Sequence, residues 1–153
     1  MNVGPLLFVA GVGLMIAMIV GRWAPRLWLV ATVVGAVAGL GAAVCVLAGG
    51  TEWDWRSGFD VSGERLHLRL DNISAVFVAL LGVVGGLGTV YAREYWADKA
   101  HPRSARSGRV WWSALVASIG GLWWSSNGLH FLIDWEIFAV ASYFLITLER
   151  RKS

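Results

Sequence analysis

The sequence predicts an all-α membrane protein of five transmembrane helices, N-terminus outside and C-terminus cytoplasmic, with a short outer hairpin between helices two and three. Three observations predict it. Of 153 residues, 57% are hydrophobic and 15% charged, and the mean hydropathy is +0.61, far too apolar for an ordinary water-soluble domain. Five apolar runs of about the 20 residues that a spanning helix needs fall near 3–20, 27–48, 72–91, 110–127 and 128–147, and together they form one transmembrane domain. Ten of the thirteen Lys and Arg cluster in three segments: Arg22 and Arg26; Arg93, Lys99, Arg103, Arg106 and Arg109; and Arg150, Arg151 and Lys152. Those segments alternate with the other connections as the positive-inside rule requires.

No Lys or Arg precedes the first run, and its apolar stretch exceeds a typical signal core, so a spanning helix is expected there rather than a cleaved signal. All five runs are continuous rather than alternating, which speaks against the strands of a membrane barrel. The second run holds the lone Cys45, which can form no intramolecular disulfide and is expected to be a small buried side chain. Gly35 with Gly39, and Gly82 with Gly86 in the third run, are small-xxx-small pairs that let neighbouring helices approach. The stretch "GVVGGLG" lacks the Lys-Ser/Thr of a phosphate loop, so packing explains it.

Between the second and third runs, "FDVSGERLHLRLD" places Ser62-Gly63 between two short alternating segments, a hairpin pattern that would cap the outer face. Arg56, Arg65 and Arg69 lie in this loop with Glu52, Asp54, Asp60, Glu64 and Asp71. Ser125-Ser126-Asn127-Gly128 is a turn that divides the last two runs. Trp23, Trp28, Trp111 and Trp112 near the inner ends, and Trp53, Trp55, Trp123 and Trp124 near the outer ends, are expected to be interfacial anchors. The basic pI near 9.5 follows from this topology. The expected partner is the lipid bilayer and not nucleic acid, since no soluble surface remains to bind one.

The chemistry lies in "FLIDWEIFAVASYFLITLERRKS", where two carboxylates interrupt the fifth run. A charge near the bilayer centre costs roughly 2.5–3.5 kcal/mol on insertion scales, so such residues point to function. Glu136 lies about 12 Å into the span at 1.5 Å per residue, near mid-depth, and Asp134 closer to the outer mouth. Two positions on a helix turn about 200°, so the two acids face different ways and form no carboxylate dyad. His130 and Asp134, four apart, share a face and could exchange a proton or neutralise each other. The plainer alternatives are an acid kept for packing against a polar partner and a pair wetted at the interface. No metal site is expected from His67, His101, His130 and Cys45, whose spacing matches no ligand set. No cofactor is expected either, because haem ligands, cluster cysteines and nucleotide motifs are missing. Proton handling remains, and it requires a cation that approaches the acid and withdraws. None of the five predicted runs contains a Lys or Arg.

The stretch "LRLDNISAVFVALLGVVGGLGTVYAREYW", 68–96, resembles the third helix and its approach in the antiporter-like proton-translocating subunits of respiratory complex I, hydrogenase-4-type membrane hydrogenases and multisubunit cation/proton antiporters. "SSNGLHFLIDWEIFAVASYFLITLERRKS" resembles their fifth helix in the Trp135-Glu136 pair and the run Ser142-Tyr143-Phe144-Leu145, and its charged "LER" segment is most similar to the hydrogenase-4 subunit. The resemblance implies that Glu136 is the proton-handling glutamate. It implies other membrane subunits of a respiratory or hydrogenase complex as partners, and the inner or plasma membrane as location. Members of that family are longer, with two inverted five-helix repeats after three initial helices, and the lysine that partners the glutamate belongs to a later helix.

Two functions of different classes follow. The first is the N-terminal portion of a proton-translocating subunit, incomplete alone, in which Glu136 carries protons with possible help from Asp134 and His130. The second is a structural five-helix anchor or assembly subunit without transport. A third, a freestanding small transporter or channel, is motivated by the intramembrane acids alone. Any redox catalysis would belong to partner chains.

Overall fold

The computed structural model describes residues 2–49, 51–61, 63–99, 101, 102 and 104–148. It contains α1 (Val3–Val20), α2 (Pro25–Gly49), the strands β1 (Trp53–Val61) and β2 (Glu64–Leu70), then α3 (Asn72–Tyr95), α4 (Ser104–Trp124) and α5 (Gly128–Thr147). Ser62 of the expected turn, and Arg103, Glu149, Arg150, Arg151 and Lys152, lie outside the described residues.

Local chemistry sets most boundaries. Pro25 opens α2, where its fixed φ suits a first turn and its missing N–H leaves no donor unpaired. Asp71 caps α3 by accepting the Ser74 N–H at 2.7 Å, and Asn127 caps α5 by accepting the Leu129 N–H at 2.7 Å. At the hairpin tip, Gly63 has φ +84°, a conformation open to glycine and strained for most other residues.

In the bundle, α1 packs on α2 and α2 on α3, while α4 meets α1, α2, α3 and α5. Helix α4 is therefore the central element. Backbones come close where glycines sit: a Cβ on Gly13 would stand 2.9 Å from the Ala31 carbonyl oxygen, and one on Gly82 3.0 Å from that of Ala36. Gly35 faces the Ala10 carbonyl across the same α1–α2 crossing. These small residues permit the helix contacts that lipid-facing leucines would block.

The hairpin pairs antiparallel, with Trp53 opposite Leu70 and Trp55 opposite Leu68, and its register shifts between Arg56 and Asp60. It docks on the α4–α5 turn. Leu68 bridges to Ser125, the Ser126 N–H donates to the His67 carbonyl at 2.9 Å, and the Asn127 side-chain amide donates to Glu64 at 2.7 Å. Leu70 anchors the hairpin base in a buried cluster with Leu7, Val46 and Val78. His67 lies 2.7 Å from Asp54, and the His67 contact holds the exposed Asp54 carboxyl below its usual range.

Helices α1, α2, α3 and α5 are long and apolar enough to cross a membrane. This is a multi-pass membrane protein. Helix α4 has the length but not that degree of apolarity, because it faces other helices on most sides and carries small and polar residues there.

Three expectations are corrected. The fourth helix runs Ser104–Trp124 instead of 110–127, so Arg106 and Arg109 lie inside a helix, as Arg93 does in α3. Ser125–Asn127 leave the helix to bind the hairpin. Arg109 is tolerated because its polar atoms are bonded: Nε donates to the Gly21 carbonyl at 2.7 Å and Nη2 to Asp98 at 3.0 Å. Trp28 is no interfacial anchor. It is fully buried and donates from Nε1 to Ser113 Oγ at 2.8 Å and to the Arg109 carbonyl at 3.2 Å. Trp112 likewise donates to Thr89 Oγ1 at 2.8 Å. Cys45 is half-buried rather than buried, since it lies at the edge of the α2 contact face.

Arg109→Ala should destabilise the protein by about 3 kcal/mol, through loss of charge-assisted bonds to the Gly21 carbonyl and Asp98. Arg93→Ala, which breaks only the exposed pair with Glu94, should cost less than about 1 kcal/mol. Thermal unfolding in detergent would show the ranking, and equal losses would contradict it. Asp71 gives a pH test. The Ser74 N–H bond holds its folded-state carboxyl below the usual range. Its stabilisation is thus fully present above the unfolded value of about 3.9 and is lost as pH falls through the folded value. Asp71→Ala should cost about 1 kcal/mol at pH 7, with the gap to the native chain closing in acid.

Candidate functional site

The candidate site is built on α5, which packs mainly on α4 and buries Ala141 alone among its described residues. One ring contact fixes its far end, where Trp111 of α4 stacks on Phe144 with centroids 4.3 Å apart. Phe131, Trp135 and Phe138 form a line of neighbouring rings nearer the hairpin end.

The two acids take opposite environments. Asp134 turns toward α4, where its carboxylate lies against the bare backbone of Gly121 and accepts a hydrogen bond from Ser125 Oγ at 3.2 Å. Glu136, two residues on, is exposed and makes no hydrogen bond or ion pair among the described residues. His130 is half-buried, and its Nδ1 is enclosed without a hydrogen-bond partner. Ser125, not His130, supplies the hydrogen bond to Asp134.

A cleft of about 720 Å³ opens beside Asp134. Helix α4 forms its floor, α1 and α5 its sides and the hairpin its end, with Phe8, Met15, Trp55, Leu68 and Trp124 in the lining. The walls are almost wholly apolar, and Asp134 is the ionisable side chain that reaches them. Arg109 is engaged elsewhere, at the opposite end of α4 with Asp98 and Gly21. Among the described residues, no group of three or more His, Cys, Asp or Glu converges.

Sequence reasoning found Asp134, Glu136 and His130, but neither Ser125 nor Gly121. A signal for those two was present: they stand four apart, and because the Ser125 N–H still donates to the Gly121 carbonyl at 2.8 Å, the first residue past α4 keeps the helical step and lies over Gly121.

Comparison with known proteins gives two findings. The chain is 33% identical over 94 residues, 61% of its length, to a protein named NAD(P)H-quinone oxidoreductase subunit 5, chloroplastic, from Populus alba. It also superposes on a chain of the membrane-bound sulfane sulfur reductase, an archaeal respiratory membrane complex, with a TM-score of 0.62 and 22% identity over 95% of its length. The structural match establishes a shared fold. The chain spans 12% of the first protein and 23% of the second. No family model matches the sequence. The resemblance to membrane subunits of complex I-like respiratory assemblies thus holds both in sequence and in fold.

Gly121→Ala should push the Asp134 carboxylate off α4, because the new Cβ would fall within the space the carboxylate occupies. The expected cost is about 1–3 kcal/mol, the range for overpacking. Gly128→Ala, which meets open space, is the control. Equal melting temperatures for the two variants would contradict this placement of Asp134.

Proposed function

We propose that this chain is part of a proton-translocating membrane subunit in a complex I-like or hydrogenase-type respiratory assembly, in which Glu136 takes up and passes on protons. The reading includes five spans, with the hairpin outside and the α1–α2 and α3–α4 turns on the cytoplasmic side of an inner or plasma membrane. The observation that carries it is the position of Glu136: mid-helix on α5, exposed, and without an ion pair among the described residues. An unpaired carboxylate facing hydrocarbon is costly, so that face of α5 calls for a protein partner with a cation. Such a cation, on a helix beyond these 153 residues, would stabilise the charged acid when near and let it bind a proton when withdrawn. Asp134 and His130, toward the hairpin end, would lie between Glu136 and the outer face. The similarity to a quinone oxidoreductase subunit and to a respiratory complex chain supports the assembly named.

The alternative is an anchoring role without transport. The close-packed glycine crossings and the bonded cluster around Arg109 favour it, since both serve rigidity.

Glu136→Gln separates the two. In the native complex reconstituted in proteoliposomes, this variant should assemble normally yet lose proton pumping. Undiminished pumping per complex would remove the relay, and reduced complex yield with unchanged turnover would support the anchor.

A further inference from the structure

Helix α5 has little to hold it against rotation about its own axis. It packs mainly on α4, and lipid solvates its other apolar sides as well as a protein neighbour would. The face it turns to α4 is nevertheless one line: His130, Asp134, Phe138, Ala141, Ser142 and Leu145 are buried or half-buried, while the residues between them from Phe131 to Phe144 are exposed. The α4–α5 turn brings this line to α4, and one polar contact marks it. Among the described residues, the bond that Ser125 Oγ donates to Asp134 at 3.2 Å is the only one that ties a side chain of α5 to a residue outside the helix. Gly121, lacking a side chain, leaves the room that the carboxylate fills. The Trp111–Phe144 stack steadies the far end by apolar contact, which hydrocarbon can replace. Hydrocarbon cannot replace the Ser125 bond.

Seven positions separate Asp134 from the fully buried Ala141, a difference of about 20° around the helix, whereas Glu136 stands about 200° from Asp134. Seating Asp134 therefore turns Glu136 away from α4. A rotation that brought Glu136 to α4 would carry Asp134 off Ser125 and into hydrocarbon, where an unpaired polar group is costly. We propose that Asp134 is a positioning residue: its seat between Gly121 and Ser125 fixes the rotational setting of α5 and so aims Glu136 at the side where a partner chain would meet it. The seat needs an acceptor oxygen of this shape and does not need a transferable proton. Its service to proton transfer rests on Glu136 being the acid of the relay, but the setting of the helix does not.

The test is double electron–electron resonance on the full chain in nanodiscs, in a Cys45→Ala background, with nitroxides on Leu87→Cys of α3 and Tyr143→Cys of α5. Both positions are exposed, and Tyr143 lies one heptad from Glu136 on the same face. The chain with Asp134 in place should give one narrow distance peak. Asp134→Asn, which keeps the shape and the acceptor, should retain that peak. Asp134→Leu, which keeps the shape alone, should broaden it or shift it by up to about 5 Å, because a side-chain tip roughly 5–6 Å from the axis moves that far in a 60° turn. Ser125→Ala removes the donor with Asp134 untouched and should broaden it as well. In the native complex, pumping should survive Asp134→Asn and fall by up to about 100-fold in Asp134→Leu, the scale of about 1 Å of misplacement. An unchanged peak in either Asp134→Leu or Ser125→Ala would overturn the seat. Lost pumping in Asp134→Asn at the native distance would make Asp134 a proton carrier and overturn the positioning role. Pumping that survives Glu136→Gln would remove the relay and leave the distance result standing, so the two can fail separately.

Discussion

A polar group left unpaired in hydrocarbon costs several kcal/mol, and in this protein that constraint falls hardest on α4. Arg109, Ser113 and Ser118 are buried on it, and Trp28 and Trp112 supply indole donors around it. The bundle satisfies them by surrounding α4 with helices rather than lipid. Arg109 reaches the α1–α2 turn and the α3–α4 connection, and Trp28 closes the same cluster from α2. The arrangement of α1, α2 and α3 around α4 therefore answers a hydrogen-bonding requirement as much as a packing one.

The other end of α4 has a different solution. Here the hairpin binds the chain just after the helix through backbone and side-chain hydrogen bonds, and Asn127 serves both as cap of α5 and as donor to Glu64. The direction in which α5 leaves α4 is thus set by extended backbone outside the bundle. That direction decides which face of α5 meets Gly121 and Ser125, and hence why Asp134 is covered while Glu136 is not. Two acids of the same chemistry acquire different surroundings from a single feature, the angular step between positions two apart on a helix.

Helix α5 also differs from the rest in what it lacks. It rests on one neighbour and leaves Trp135, Ile137, Tyr143 and Ile146 exposed beside Glu136. Apolar area of this kind is ordinary against lipid, but a mid-helix carboxylate within it is not. The two matched proteins are several times longer than this chain.

The sequence by itself determined the helices and the hairpin, because the information for them is local. Apolar runs report lipid-length spans, Asn127-Gly128 and Gly63 mark turns, and the bounds of α1 and α5 match the predicted windows. It also marked Asp134 and Glu136 as anomalous and placed them on different faces. Tertiary structure decided which face is which. Helices α1, α2 and α5 are apolar on nearly all sides, so no stripe in their sequence states which side meets protein. The burial of Trp28, the early start of α4 with Arg109 inside it, and the seating of Asp134 on Gly121 all depend on groups from distant segments arriving together. A cation counted as a loop charge becomes a buried one only when Gly21 and Asp98, 88 and 11 positions away in the chain, are brought to it.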